Sequence, residues 1–318
     1  MKKVQREDLY IISRHSDLTA NGLAKVLKEN IYNDRENWQK SLSVFFISLG
    51  IGFMIAGIVF FFAYNWADMH KFAKIGLIEG LLVIATGFVL FLKVRENIKG
   101  IILTGTAVLV GVLFAVFGQI YQTGADAYDF FFVWTLFVSL WVFFSDFAPL
   151  WLLYLGLVNA TLILYAKQIA EDWSGVFVCA LLFIVNSATL ISSIIISRYK
   201  KTTNVPVWFL YTVAFAAVGC ATWGICLGIL GDNQPAFPLL LLITSIVFAI
   251  GIWYGINARN GFFPSVISFS LIVMVSACLI RISHEEVMFF VTGLFIISSV
   301  TLVIKKLIAI QKKWANED

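Results

Sequence analysis

Residues 42–64 of the chain, LSVFFISLGIGFMIAGIVFFFAY, contain no charged side chain. A run of this length matches the roughly 20 residues that an α-helix needs to cross about 30 Å of lipid hydrocarbon. Backbone amides in lipid have no water to bond, so a crossing segment must be a helix or a strand of a closed barrel. Barrel strands alternate apolar and polar residues, and this run does not. The stretch therefore predicts a membrane-spanning helix.

The same pattern recurs along the chain. Hydrophobic residues make up 60% of the 318 residues and charged residues 13%, about half the charged share of a soluble domain. The apolar residues form ten blocks, so we predict an all-α integral membrane protein, a bundle of about ten transmembrane helices. The predicted spans are 42–64, 75–92, 101–120, 129–144, 149–166, 175–197, 206–229, 237–256, 262–280 and 287–304.

Basic residues predict the orientation, because Lys and Arg concentrate in cytoplasmic loops. With ten spans and a cytoplasmic N-terminus, 19 of the 23 lysines and arginines fall on the cytoplasmic side. Both termini are therefore expected to be cytoplasmic. The sequence then divides into a short cytoplasmic helical region (1–40), a ten-span transmembrane domain (41–305) and a cytoplasmic basic tail (306–318).

The N-terminal region 1–40 has the spacing of two short helices, QREDLYIISRH and SDLTANGLAKVLKENI. A helix-turn-helix DNA reader is disfavoured, because the region has neither an adequate core nor a dense basic recognition face. We expect no nucleic-acid partner. The bilayer is the expected partner of the whole chain, and anionic lipid headgroups are a candidate partner of this region.

Polar and small residues inside the spans favour packing roles. Asn159 and Asn186 are expected to bridge helices, since amides in lipid more often bond a neighbouring helix than a ligand. Three G-x-x-x-G pairs are expected to mark close helix contacts within the chain: Gly76 with Gly80, Gly224 with Gly228, and Gly251 with Gly255.

The sequence contains no motif of the familiar enzymes or of the common metal and cofactor sites. There is no phosphate-binding loop, nucleophile elbow or zinc spacing. We therefore predict no cofactor and no metal. The cysteines lie in apolar runs without a C-x-x-C pair, so we interpret them as small apolar fillers: Cys179, Cys220, Cys226 and Cys278.

The stretch 118–129, GQIYQTGADAYD, is unusually polar for the loop between two apolar spans. Much of it has a structural interpretation. Gly124 can end the third span in a left-handed conformation. Asp126 can cap the fourth span, where Asp129 favours the positive end of the helix. Tyr121 and Tyr128 would be interfacial anchors.

Glu79, in the second predicted span, suggests that the polar stretch 118–129 also has a functional role. It is the one acidic residue well inside an apolar run, where a carboxylate is costly unless it is paired, protonated or facing water. Pairing with a nearby lysine, or reaching the outer interface, is the alternative. The functional hypothesis is an outward-facing polar pocket for a cation, a proton or a polar headgroup. Its candidate residues are Asn65, Trp66, Lys74, Glu79, Gln119, Tyr121, Gln122, Asp126, Tyr128 and Asp129.

Several of these motifs together resemble a known family. Asn65-Trp66, Phe72-Ala73-Lys74, the stretch 118–129 and Trp134 are similar to a bacterial family of polytopic membrane proteins, domain of unknown function 2157. The resemblance extends from the N-terminal region to about the fifth span. It implies an integral protein of the bacterial cytoplasmic membrane and implies no activity.

Three function classes stay open from the sequence. The first is a carrier, channel-like protein or sensor that handles an ion or small polar solute through the outer pocket. The second is a non-transporting scaffold or envelope-stress component. The third is a membrane enzyme acting on lipid headgroups, with Glu79, Asp126 and Asp129 as candidate acid–base groups.

Overall fold

The structure, a computed structural model, describes residues 35–64, 69–91, 95–121, 124, 126–199, 205–232, 234–282 and 286–316. Within these residues the chain forms ten α-helices, as predicted. They are α1 (Arg35–Tyr64), α2 (Lys71–Phe91), α3 (Glu96–Tyr121), α4 (Ala127–Phe143), α5 (Ala148–Gln168), α6 (Gly175–Tyr199), α7 (Val207–Leu230), α8 (Phe237–Asn257), α9 (Phe262–Ile282) and α10 (Glu286–Asn316).

Nine helices of the described chain are long and apolar enough to cross a membrane. The shorter apolar helix is α4, with 17 residues. This confirms an integral membrane protein with a helical transmembrane bundle. The two short helices predicted before residue 35 lie outside the described residues.

The helices extend beyond several of the predicted apolar spans. Helix α1 begins at Arg35 and α10 continues to Asn316, whereas the apolar runs cover 42–64 and 287–304. The additional turns contain charged and polar residues among apolar ones, and the backbone hydrogen bonds of the helix continue through them. Much of the predicted basic tail is thus the last part of α10.

The chain divides into two compact units within α3, one ending at Leu109 and the other beginning at Val110. In the first unit, α1 and α3 approach at Gly105, where an added Cβ would lie 2.7 Å from Ile51 Cγ2. An apolar cavity of about 360 Å³ lies among side chains of α1, α2 and α3. Ile78 of α2 is fully buried.

The second unit has its main core among α6, α7, α8 and α9. Phe183 of α6 and Phe248 of α8 meet edge to face with ring centroids 6.4 Å apart. Small residues of α7, such as Ala217 and Ala221, are buried against them. Aromatic and aliphatic side chains therefore fit against a helix face with little bulk, as expected for helix packing in lipid.

Polar side chains join neighbouring helices of the second unit. Asn159 of α5 and Asn186 of α6 exchange amide hydrogen bonds of 3.2 and 3.0 Å, which confirms the predicted bridge. Thr135 Oγ1 of α4 lies 3.1 Å from Thr161 Oγ1 of α5. These bonds satisfy polar groups that lipid cannot satisfy.

Candidate functional site

Two of the predicted pocket residues lie on α2 in the first unit. Lys74 is buried, whereas Glu79 is exposed at the protein surface. Five positions on an α-helix correspond to about 140° around its axis. The two side chains therefore leave α2 in different directions, which explains their different burial and argues against Lys74 as the partner of Glu79.

Glu79 lies well inside α2. The eight residues from Lys71, where the helix begins, to Glu79 correspond to about 12 Å along its axis. Among the residues that the structure describes, none forms an ion pair or hydrogen bond with the Glu79 carboxylate. Among the described residues, no atom lies within 4 Å of a Cβ added at Gly76 or Gly80, so the expected close contact is not observed there.

The start of α4 holds three predicted pocket residues in a local arrangement. Gly124 has φ 64°, the left-handed conformation expected from the sequence. Asp126 is the N-cap residue of α4, and its backbone N–H donates to Asp129 Oδ2 at 3.1 Å. Asp129 thus supplies its half of a capping box, a bond that adds to its predicted place at the positive end of the helix. Both aspartates are exposed.

Tyr128, between these aspartates, contacts α5 through its backbone and its ring. Its backbone N–H donates to Gln168 Oε1 at 2.7 Å, and its ring meets Tyr165 edge to face at 5.1 Å. Tyr165 in turn contacts Trp173, with ring centroids 5.2 Å apart. This aromatic row fixes the beginning of α4 against the end of α5, a role that the sequence interpretation missed.

The remaining predicted pocket residues divide between the end of α3 and undescribed positions. Gln119 and Tyr121 are exposed in the last turn of α3, where the Tyr121 ring lies 4.5 Å from that of Phe117. Asn65, Trp66 and Gln122 lie outside the described residues. The grouping of all ten residues in one pocket therefore stays a prediction.

The structure also contains a cleft that the sequence interpretation did not identify. It has a volume of about 540 Å³, within the size range of small-molecule sites. We call it the α4–α7 cleft. Its lining comprises Phe143, Ser145, Asp146, Ala148, Trp151, Ala188, Thr189, Ser192, Ser193, Ile196, Val205, Pro206 and Phe209.

Two short pairs of polar residues are the sequence features that could have indicated the α4–α7 cleft. Ser145-Asp146 interrupts the apolar sequence between α4 and α5, and Ser192-Ser193 lies inside the sixth predicted span. Because 45 or more residues separate the two pairs along the chain, their proximity depends on how α5 and α6 pack. Sequence spacing alone could not indicate it.

Comparison with known proteins agrees with the resemblance seen in the sequence. Residues 20–151 match the model of the family described as "Predicted membrane protein (DUF2157)". The match bears out the resemblance to this family over that segment, which ends within the first turn of α5. No curated protein and no solved structure matches the chain.

Proposed function

We propose that this multi-pass membrane protein binds a cation or a small polar solute through Glu79, at an outward-facing polar pocket. One observation carries the proposal. Glu79 is exposed on an apolar helix about 12 Å from the helix start, and no described residue pairs with its carboxylate. A carboxylate at such a position is costly in lipid unless a proton, a cation or water meets it.

The proposed pocket includes the other residues that the sequence singled out. The side chains of Gln119, Tyr121, Asp126 and Asp129 are exposed and offer amide, phenol and carboxylate oxygens to a ligand. Oxygen donors of this kind suit hard cations such as Na⁺ and Ca²⁺. The proposed setting is the bacterial cytoplasmic membrane, with both termini inside and this pocket facing outward.

Cation binding by the purified full-length protein tests this function. In maltoside micelles, ²²Na⁺ and ⁴⁵Ca²⁺ binding would be measured for the wild type and for Glu79→Gln and Glu79→Ala. We expect saturable binding of one cation, and an affinity at least tenfold lower in both variants because the charged ligand is lost. Glu96→Gln is the matched control, since Glu96 is exposed and already bonded to Lys99 at 2.9 Å.

A cation as the ligand is excluded if the wild type binds neither ion saturably, and a role for Glu79 in cation binding is excluded if both Glu79 variants bind like the wild type. A general effect of negative charge would instead weaken binding equally in Glu96→Gln. In cells, a strain carrying either Glu79 variant should share the defects of a strain that lacks the gene. Full complementation by both variants would also contradict the proposal.

A non-transporting scaffold is the second candidate function. It is favoured by the internal bonds at the start of α4, where the Asp126 backbone N–H donates to Asp129 and the Tyr128 backbone N–H donates to Gln168. In this alternative the polar loop holds α4 and α5 in a fixed arrangement and binds no ligand. Gln168→Ala would then impair complementation by the full chain, whereas Glu79→Gln would not.

A further inference from the structure

The α4–α7 cleft shares no residue with the proposed outer pocket. Its walls come from the end of α4, the turn after it, the start of α5, the second half of α6 and the start of α7. From the distribution of basic residues, these helix ends are predicted to lie on the cytoplasmic side. The α4–α7 cleft is therefore a candidate site at the predicted inner surface of the membrane.

The described residues of the cleft lining carry one negative charge. Asp146 is the charged residue among the described lining residues, and no described basic group forms an ion pair with it. Its side chain is exposed, in the turn between α4 and α5. An anionic ligand would be repelled from this carboxylate, whereas a cation would be attracted to it.

The hydroxyl groups of α6 add acceptors to the same cleft. Thr189 donates its hydroxyl proton to the Val185 carbonyl oxygen at 2.9 Å, and Ser193 donates to the Thr189 carbonyl oxygen at 2.7 Å. With their protons engaged along the helix, these oxygens offer lone pairs to a ligand. The polar part of the cleft therefore favours a ligand that is cationic or donates hydrogen bonds.

The apolar part of the cleft is aromatic and held in place. Trp151 Nε1 donates to the Ser145 carbonyl oxygen at 2.8 Å, which fixes the indole beside the turn that carries Asp146. Phe143 meets the same indole edge to face, with ring centroids 6.1 Å apart. Phe209 is buried on the α7 side. Aromatic faces next to a carboxylate are the usual environment of organic ammonium groups.

We propose that the α4–α7 cleft binds an organic ammonium compound, in which one cationic nitrogen is carried on an apolar body. The nitrogen would lie near Asp146 and the α6 hydroxyls, and the apolar body between Trp151 and Phe209. The volume of about 540 Å³ accommodates such a molecule. A lipid chain in the same space would use the apolar walls and gain nothing from Asp146.

A charged probe and its neutral isostere test the proposal. Benzyltrimethylammonium and neopentylbenzene have nearly the same shape and differ in charge. Their binding to the full chain in uncharged maltoside micelles would be measured by saturation-transfer NMR, with protein-free micelles as the blank. We expect saturable binding of the cation, at least about tenfold weaker binding in Asp146→Asn, and an unchanged, weak signal for the neutral compound.

Two further variants distinguish specific binding in the α4–α7 cleft from a general effect of negative charge or of the micelle. Asp172→Asn removes another exposed carboxylate, in the turn after α5, and should leave cation binding unchanged. Ala188→Trp places a large ring in the cleft from an exposed position of α6 and should abolish binding while the protein stays folded.

The proposal fails under any of four outcomes. The first is the absence of saturable cation binding. The second is equal binding by Asp146→Asn and the wild type. The third is a loss of affinity in Asp172→Asn equal to that in Asp146→Asn. The fourth is binding of neopentylbenzene as tight as that of the cation, which would identify the cleft as a site for lipid chains.

Discussion

The amide pair between α5 and α6 is a residue-scale feature with a measurable energy. Asn186 is completely buried, and its Nδ2 donates to Asn159 Oδ1 and, at 2.7 Å, to the Leu182 carbonyl oxygen. Replacing Asn186 with Ala leaves the Asn159 amide without its partner on α6. Hydrogen bonds between membrane helices contribute about 0.6–1.7 kcal/mol, so we expect destabilisation of about 1 kcal/mol.

A double-mutant cycle with Asn186→Ala and Asn159→Ala would measure this coupling through the free energy of unfolding in mixed micelles. Asn257→Ala, at the exposed end of α8, is the control and should change stability little. Additive effects of the two core substitutions would show that the amides do not stabilise the α5–α6 contact through each other.

At the same scale, local sequence rules predicted local structure well. The left-handed Gly124 and the N-cap position of Asp126 follow from residues within a few positions of one another. The bond from Tyr128 to Gln168 joins residues 40 positions apart. Neither segment contains a pattern that indicates the other as its partner, so the bond from Tyr128 to Gln168 could be identified only from the tertiary structure.

Helix packing is the main element-scale property, and α7 provides an internal comparison for it. An added Cβ at Gly224 would lie 2.6 Å from Cys179 Cβ of α6 and 2.7 Å from Leu240 Cδ2 of α8. Since a Cβ atom cannot move without its backbone, α6 would have to shift. We expect Gly224→Ala to lower the free energy of unfolding by about 1–3 kcal/mol.

Gly219 on the same helix is the matched control, because an added Cβ there meets open space. Gly219→Ala should be neutral or should stabilise α7 by up to about 1 kcal/mol, the helix-propensity difference between the two residues. Unfolding of both variants in mixed micelles checks the pair. Equal effects would mean that α6, α7 and α8 do not pack closely at Gly224.

The G-x-x-x-G pattern predicted close contacts correctly on α7 and α8 but not on α2. Gly251 of α8 lies against Ile267 of α9, whereas Gly76 and Gly80 show no such neighbour among the described residues. A small residue permits a close approach, and the partner helix decides whether the approach occurs. Sequence patterns therefore could not predict which helices pack against each other, nor the α4–α7 cleft that their packing leaves.

At the scale of the whole molecule, the number of helices was predictable because the thickness of the bilayer sets the length of each crossing. The number of crossings depends on α4. Its 17 residues span about 26 Å at 1.5 Å per residue, the short end of the usual range. Asp126 precedes it and Asp146 follows it, so polar groups border the apolar helix on both sides.

Because polar ends border an apolar helix that is just long enough, we predict that α4 crosses the membrane. The number of crossings is then ten, and we predict that both termini lie in the cytoplasm. In a variant with the four native cysteines replaced by Ala, a single cysteine at Asp126 should react with a membrane-impermeant maleimide in intact cells. A single cysteine at Asp146 should react only after permeabilisation. A fluorescent protein fused after Asp318 should fluoresce, as it does in the cytoplasm. Labelling of both positions from the same side would show that α4 does not cross, and nine crossings would then place the termini on opposite sides.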